Sequence, residues 1–173
     1  MKFLGYFSIV LICFTLFGGI CLVAGIRINT SESIPIGIYR SSEGAVEKGD
    51  FVLFCPPPDS VFDMAKERGY LASGLCPGGY GYMMKDVVGI SGDIIAVKDD
   101  GVRVNGIMLP ESKPLQADPA GRPLPHFQAD SYTLDRSEVL LMSEVCGLSF
   151  DGRYFGPINR LQIKTVILPV FTW

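Results

Sequence analysis

Hydrophobic positions follow two regimes along this chain. From Phe3 to Ile26 the sequence reads FLGYFSIVLICFTLFGGICLVAGI, with no charged residue. A helix rises ~1.5 Å per residue and a bilayer core is about 30 Å thick, so residues 1–26 are predicted to form a transmembrane anchor. Val23-Ala24-Gly25 offers a small-residue cleavage site, but the apolar stretch of a cleaved secretory peptide runs only about 7 to 15 residues, which favours retention. Ile20 is too large for the position before a lipid-modified Cys21. Lys2 and Arg27 flank opposite ends of the run, so charge alone does not orient it.

Beyond residue 26 the apolar runs shorten and turn signals separate them. Residues 27–40 read as an extended lead-in, because Ile34 precedes a proline and is pushed towards extended geometry. Phe51-Val52-Leu53-Phe54 is a short buried strand between Gly49-Asp50 and the Cys55-Pro56-Pro57-Pro58 stop. Asp59 or Ser60 caps a helix through Met64, Ala65 and Arg68 that ends at Gly69, predicted to be the one helix of any length outside the membrane. Tyr82 to Ile90 is a strand crossing the core, followed by a turn at Ser91-Gly92-Asp93. Ile94–Lys98 and Val102–Val104 are further strands, and Asn105-Gly106 before Ile107 is a two-residue hairpin signal. Residues 110–130 are a Pro-rich, polar surface excursion. Tyr132 to Met142 returns as a strand, Ser149 to Pro157 is a loop, and Ile163 to Trp173 is the last strand. There is no internal repeat, so residues 27–173 form one β-rich domain.

Composition sharpens this division. The 173 residues are 48% hydrophobic with a mean hydropathy of +0.32, and much of that excess sits in the first 26 positions. All 18 acidic and 14 of the 15 basic residues lie beyond position 26, giving the body a formal charge of −4. A nucleic-acid backbone needs a basic face, so that class of partner is excluded. Twenty glycines and twelve prolines break the chain too often for long helices, and a mainly β body follows.

The candidate chemistry centres on Thr30-Ser31-Glu32-Ser33-Ile34-Pro35-Ile36-Gly37, close after the apolar run. Ser33 is a candidate nucleophile at the bilayer surface; read alone, a Ser-X-Pro stretch is more often just a linker. A serine hydroxyl needs a base. The single histidine, His126, lies in the Pro-rich excursion and would have to carry any Ser-His-Asp arrangement. Lys85 stands among Met83, Met84, Val87 and Val88, where burial would lower its pKa towards the neutral, proton-accepting form. Its sequence surroundings fit a strand-edge lysine reaching water beside Asp86 just as well. In Ser149-Phe150-Asp151-Gly152-Arg153, Asp151 and Arg153 are candidates for an ion pair that fixes the loop, and Ser149 for a hydrogen bond to the amine of the base.

Taken in order, Ser31-Glu32-Ser33-Ile34-Pro35, Lys85-Asp86-Val87-Val88-Gly89-Ile90-Ser91-Gly92-Asp93 and Ser149-Phe150-Asp151-Gly152-Arg153-Tyr154-Phe155-Gly156-Pro157 resemble the serine, lysine and terminal boxes of type I signal peptidases. Cys55-Pro56-Pro57, Arg68-Gly69-Tyr70-Leu71, Gly121-Arg122-Pro123-Leu124-Pro125 and Phe171-Thr172-Trp173 resemble the conjugative-transfer branch, the TraF-type peptidases. The resemblance covers nearly the whole chain. It implies a signal-peptidase/LexA-like β-body behind one N-terminal transmembrane helix. It also implies a Ser-Lys dyad of Ser33 and Lys85, oxyanion donors from the Ser33 amide and the Ser31 hydroxyl, and supporting roles for Ser149, Asp151 and Arg153. No cofactor or metal is implied.

The implied partners are a precursor protein substrate, in the conjugative branch a pilin subunit, together with the lipid bilayer and the conjugative transfer machinery. The implied location is the bacterial cytoplasmic membrane with residues 27–173 in the periplasm. In that oxidising space Cys55 and Cys76 would pair around the short helix, Cys146 would stay unpaired, and Cys13 and Cys21 would pack in the anchor. Two positions depart from the pattern: Asp86 follows the lysine where a basic residue is common, and Gly152 replaces a frequent serine, which is expected to loosen its loop. A housekeeping signal peptidase and a non-catalytic anchored assembly factor of a pilus or secretion apparatus are the alternative readings.

Overall fold

The computed structural model describes Tyr6, residues 11–12, 15–16 and 18–19, and residues 23–173. The predicted anchor over residues 1–26 falls mostly outside the described residues, among which no helix is long and apolar enough to cross a membrane. Its far boundary lies in the β-body: Ile26 pairs with Arg40, and the Gly25 carbonyl accepts from the Ser41 amide at 2.8 Å.

Twelve strands and two α-helices build the described body. The strands are β1 (Ile26–Asn29), β2 (Gly37–Ser42), β3 (Phe51–Phe54), β4 (Ser73–Cys76), β5 (Met83–Gly89), β6 (Ile94–Lys98), β7 (Gly101–Val104), β8 (Ile107–Met108), β9 (Ala129–Thr133), β10 (Glu138–Met142), β11 (Ile158–Asn159) and β12 (Ile163–Thr172). Helix α1 spans Ser60–Glu67 and α2 spans Gly152–Phe155. A seven-stranded antiparallel sheet runs β1-β2-β12-β3-β5-β10-β11, and a four-stranded sheet runs β8-β7-β6-β9.

Strand β5 lies centrally, between β3 and β10. Both its faces are covered, Met83 and Val87 by one core and Val88 by another, which is why nearly every β5 side chain is buried instead of alternating with exposed ones. One core gathers Val52, Phe54, Phe62, Tyr80, Phe150 and Tyr154 beneath α1. A second gathers Val88, Ile95, Val97, Val102, Leu134 and Leu140 between the two sheets. Helix α1 starts where Asp59 accepts from the Val61 amide at 3.0 Å and buries Phe62 and Ala65. A disulfide joins Cys55, after β3, to Cys76, at the end of β4. Asn105 and Gly106 both have positive φ, 52° and 82°, the backbone a tight two-residue hairpin requires.

Three expectations change. The lead-in of residues 27–40 is an antiparallel hairpin, Asn29 opposite Gly37, so residues 30–36 form its loop. The strand expected over Tyr132–Met142 is two strands in different sheets. Asp135 breaks it by accepting from the amide and hydroxyl of Ser137 at 2.6 and 2.7 Å. The loop at Ser149–Pro157 contains α2, which Asp151 caps by accepting from the Arg153 amide at 3.2 Å.

Candidate active site

The loop of the β1–β2 hairpin carries Ser31 and Ser33, and a residue the sequence reading did not single out shapes it. Asn29, last in β1 and 4% exposed, points its side-chain amide into the loop. Its Nδ2 donates to the carbonyls of Ser31, Ile34 and Pro35 at 2.8, 2.9 and 3.1 Å. Its Oδ1 accepts from the Ser31 amide at 3.1 Å and from the Ser31 hydroxyl at 2.9 Å. The Tyr39 hydroxyl adds a bond to the Pro35 carbonyl at 2.6 Å. The one signal in the sequence is an Asn two residues before a Ser at a strand end, a common turn pattern.

Lys85 reaches the same place from β5. It is 1% exposed, and its amine donates to Ser149 Oγ at 2.5 Å. Ser149 Oγ lies 3.5 Å from Ser33 Oγ. Burial is the main cause that lowers the Lys85 pKa to about 8, with the Arg153 cation adding to the fall and Asp151 opposing it. The strand-edge reading of Lys85 is therefore set aside. Among the hydrogen bonds of the described residues, Ser33 connects to Lys85 through Ser149.

Asp86 is the next residue of the strand and so points to the opposite face of β5 from Lys85. It is buried, and desolvation raises its pKa to about 6. A carboxylate on the other side of the sheet does not neutralise the amine.

The terminal box is a rigid floor beneath these groups. Arg153 and Asp151 are both 0% exposed and form a forked pair, with Nε to Oδ1 at 2.8 Å and Nη2 to Oδ2 at 2.9 Å. The guanidinium also donates to the carbonyls of Lys113 at 3.3 Å and Gly147 at 3.1 Å, and Asp151 accepts from the Ser143 amide at 3.1 Å. One ion pair thus ties the excursion, the turn before Ser149 and α2 together. Gly152 does not loosen this loop. A Cβ there would stand 2.7 Å from Leu140 Cδ1 and 2.9 Å from the Leu141 carbonyl, so glycine lets α2 sit tightly on β10.

Ser33 stands between two hollows. One, about 300 Å³, is lined by Ser31, Ser33, Met83, Met84 and Lys85, with Tyr82, Ala72 and the end of β1. The other, about 390 Å³, lies on the Ser149 side. His126 lines neither; its ring stands edge-on to Tyr154 at 6.2 Å. Among the described residues no cluster of His, Cys, Asp or Glu fits a metal ion.

A buried amine beside two serine hydroxyls, in this order along the chain, is the arrangement expected of a serine peptidase that uses lysine as its base. Comparison with known families decides the class: the model described as "Signal peptidase, peptidase S26" matches residues 2–171. The chain belongs to the S26 signal peptidases. Within that family it is 66% identical to the plasmid transfer protein TraF of Escherichia coli over 150 residues, covering 87% of this chain and 84% of that protein. It is 33% identical to the conjugal transfer protein TraF of Agrobacterium fabrum (strain C58 / ATCC 33970) over 175 residues, covering 100% of this chain and 96% of that protein. A crystal structure of a signal peptidase I from Enterococcus faecalis V583 aligns with 73% of this S26 chain and 100% of its own, with 18% identity and a TM-score of 0.43.

Proposed function

We propose that this S26 peptidase is a membrane-anchored serine endopeptidase of a conjugative transfer system. In this reading Ser33 is the nucleophile and Lys85 the general base, and the substrate is a secreted or membrane-inserted precursor, a conjugative pilin subunit. The observation that carries the proposal is the chain of contacts from Ser33 Oγ to Ser149 Oγ to the buried Lys85 amine. A neutral amine accepts the Ser33 proton along that path. Ser33 Oγ bonds to the substrate carbonyl carbon while the oxyanion is held by the Ser33 amide and the Ser31 hydroxyl, which turns away from Asn29 to reach it. The C–N bond breaks as the lysine returns the proton to the leaving amine, and water or an amine then resolves the acyl-enzyme.

The conjugal transfer names of the relatives support the biological setting. The uncharged run before β1 supports a bilayer anchor, and the resemblance to signal peptidases is what puts the body on its periplasmic side in this reading. Ile28, Val170, Phe171 and Trp173, all largely exposed on β1 and the last strand with the residue after it, offer an apolar strip suited to a lipid surface. The test is co-expression with a candidate pilin precursor whose mass is followed. Ser33→Ala and Lys85→Ala are expected to abolish the mass change, and His126→Ala to preserve it. Processing that survives the first two substitutions defeats the reading.

A further inference from the structure

Resting on that reading, we infer that the hollow on the Ser149 side of Ser33 binds a large apolar side chain, Leu or Phe in size, from the substrate residue that follows the cleaved bond. Its walls are Tyr70, Leu115, Leu124, Leu148, Phe150 and Tyr154, and Ser33 and Ser149 stand at its mouth. At about 390 Å³ it falls in the range of pockets that enclose a bound group.

The direction follows from the oxyanion donors. The residue whose carbonyl is attacked must lie against the Ser31 hydroxyl and the Ser33 amide, so its side chain enters the hollow those residues line with Met83 and Met84. The hollow across Ser33 is left for the residue on the leaving amine.

The pocket is built, and its outer wall is the Pro-rich excursion. The Leu115 amide donates to the Tyr154 hydroxyl at 3.1 Å, and the Leu124 amide to the Gln116 carbonyl at 3.0 Å. Asp118, buried, accepts from the Tyr70 hydroxyl, from Arg122 Nε at 2.6 Å, and from the Ala120 and Arg122 amides at 2.9 Å each. Those donors hold its carboxyl well below the usual carboxylate range. A carboxylate so fully engaged fastens the wall and does not receive a substrate cation, which leaves an apolar interior. Glu32, exposed at the rim, disfavours an acidic residue there.

The test uses peptides spanning the processed bond, mapped by mass in the co-expression experiment and varied only at the following residue (Gly, Ala, Leu, Phe, Asp). The full chain in detergent should show kcat/KM at least tenfold higher for Leu or Phe than for Gly, and lowest for Asp. Leu124→Trp fills the pocket from its wall, and Leu148→Trp, at an exposed position, covers it without disturbing a core. Each should cost Leu and Phe peptides at least tenfold while sparing Gly and Ala.

A readout independent of turnover is alkylation of Cys146, a free thiol that lines the same hollow. In Ser33→Ala protein, iodoacetamide labelling of Cys146, read by peptide mass, should be slowed by the Phe peptide at concentrations where the Gly peptide has no effect. Equal rates across the series, equal losses in the Trp variants, or no selective protection of Cys146 overturns the inference. Undiminished cleavage by Ser33→Ala defeats the proposed function instead, so the two failures are distinct.

Discussion

Asn29 offers the sharpest perturbation of the serine loop, because two substitutions of different chemistry separate packing from hydrogen bonding. Asn29→Ala removes five hydrogen bonds at 2.8 to 3.1 Å. Ser31 is exposed and water replaces its share, whereas Ile34 is buried and its carbonyl loses a partner. At ~1 kcal/mol for each of the two bonds not recovered from water, those to the Ile34 and Pro35 carbonyls, the loss is about 2 kcal/mol. Asn29→Asp keeps the shape but turns an oxygen towards three carbonyl oxygens, so it should cost more, about 3–5 kcal/mol at neutral pH.

The sign of the pH dependence tells the two apart. The introduced carboxyl, buried against carbonyls, has a folded pKa raised above its unfolded value, so the native state binds more protons in that window. The Asn29→Asp deficit therefore shrinks as pH falls from 7 towards 5, while the Asn29→Ala deficit relative to wild type stays level. Denaturant melts across that range measure both. Processing rates should fall by about two orders of magnitude in either variant, because a displacement of ~1 Å at a nucleophile has that effect. Asn29→Asp with wild-type melting and rates within twofold of wild type would refute this account of the loop.

Further outcomes follow from the buried charges and the disulfide. The Lys85 pKa is lowered from 10.5 to about 8. The processing rate should therefore rise through about pH 8 as the amine becomes neutral. Between about pH 8 and 10.5 the unfolded chain holds a proton that the native state has released, so stability rises with pH by up to about 3 kcal/mol. Lys85→Met should remove that slope, melt higher than wild type at pH 7 and process nothing. Arg153→Met strands the Asp151 carboxylate at 0% exposure and should cost about 3–5 kcal/mol in denaturant unfolding, with the Asp151→Asn, Arg153→Met double variant losing less than the sum of the single losses. Reducing Cys55–Cys76, separated by 21 residues, should lower stability by about 3 kcal/mol, seen as a lower denaturant midpoint with reductant than without.

The short-range devices could be read from the sequence because they act through neighbouring residues. Asp59 capping α1 and Asn105-Gly106 turning β7 into β8 are examples. The break at Asp135 was less legible, since the turn that ends β9 is embedded in residues that otherwise suit a strand. Lys85 was ambiguous for a physical reason. Side-chain pattern does not distinguish a strand with two covered faces from one with a single covered face, and only the distant segment that brings Ser149 onto the Lys85 face of β5 removes water from the amine.

The excursion over residues 110–130 shows the limit most clearly. Proline and polar composition predict that it leaves the sheets, and it does, but composition carries no information about where such a segment lands. Its placement depends on partners far away in sequence: Tyr70 on Asp118, the Tyr154 hydroxyl under Leu115, and Arg153 on the Lys113 carbonyl. The last two contacts come from Tyr154 and Arg153, in the same short segment as Ser149 and Asp151, so the segment that orients the Lys85 amine also holds the wall of the pocket beside Ser33. Loosening that wall at Asp118 should therefore alter substrate preference with little change in the pH at which the rate rises, whereas loosening Arg153 should alter both.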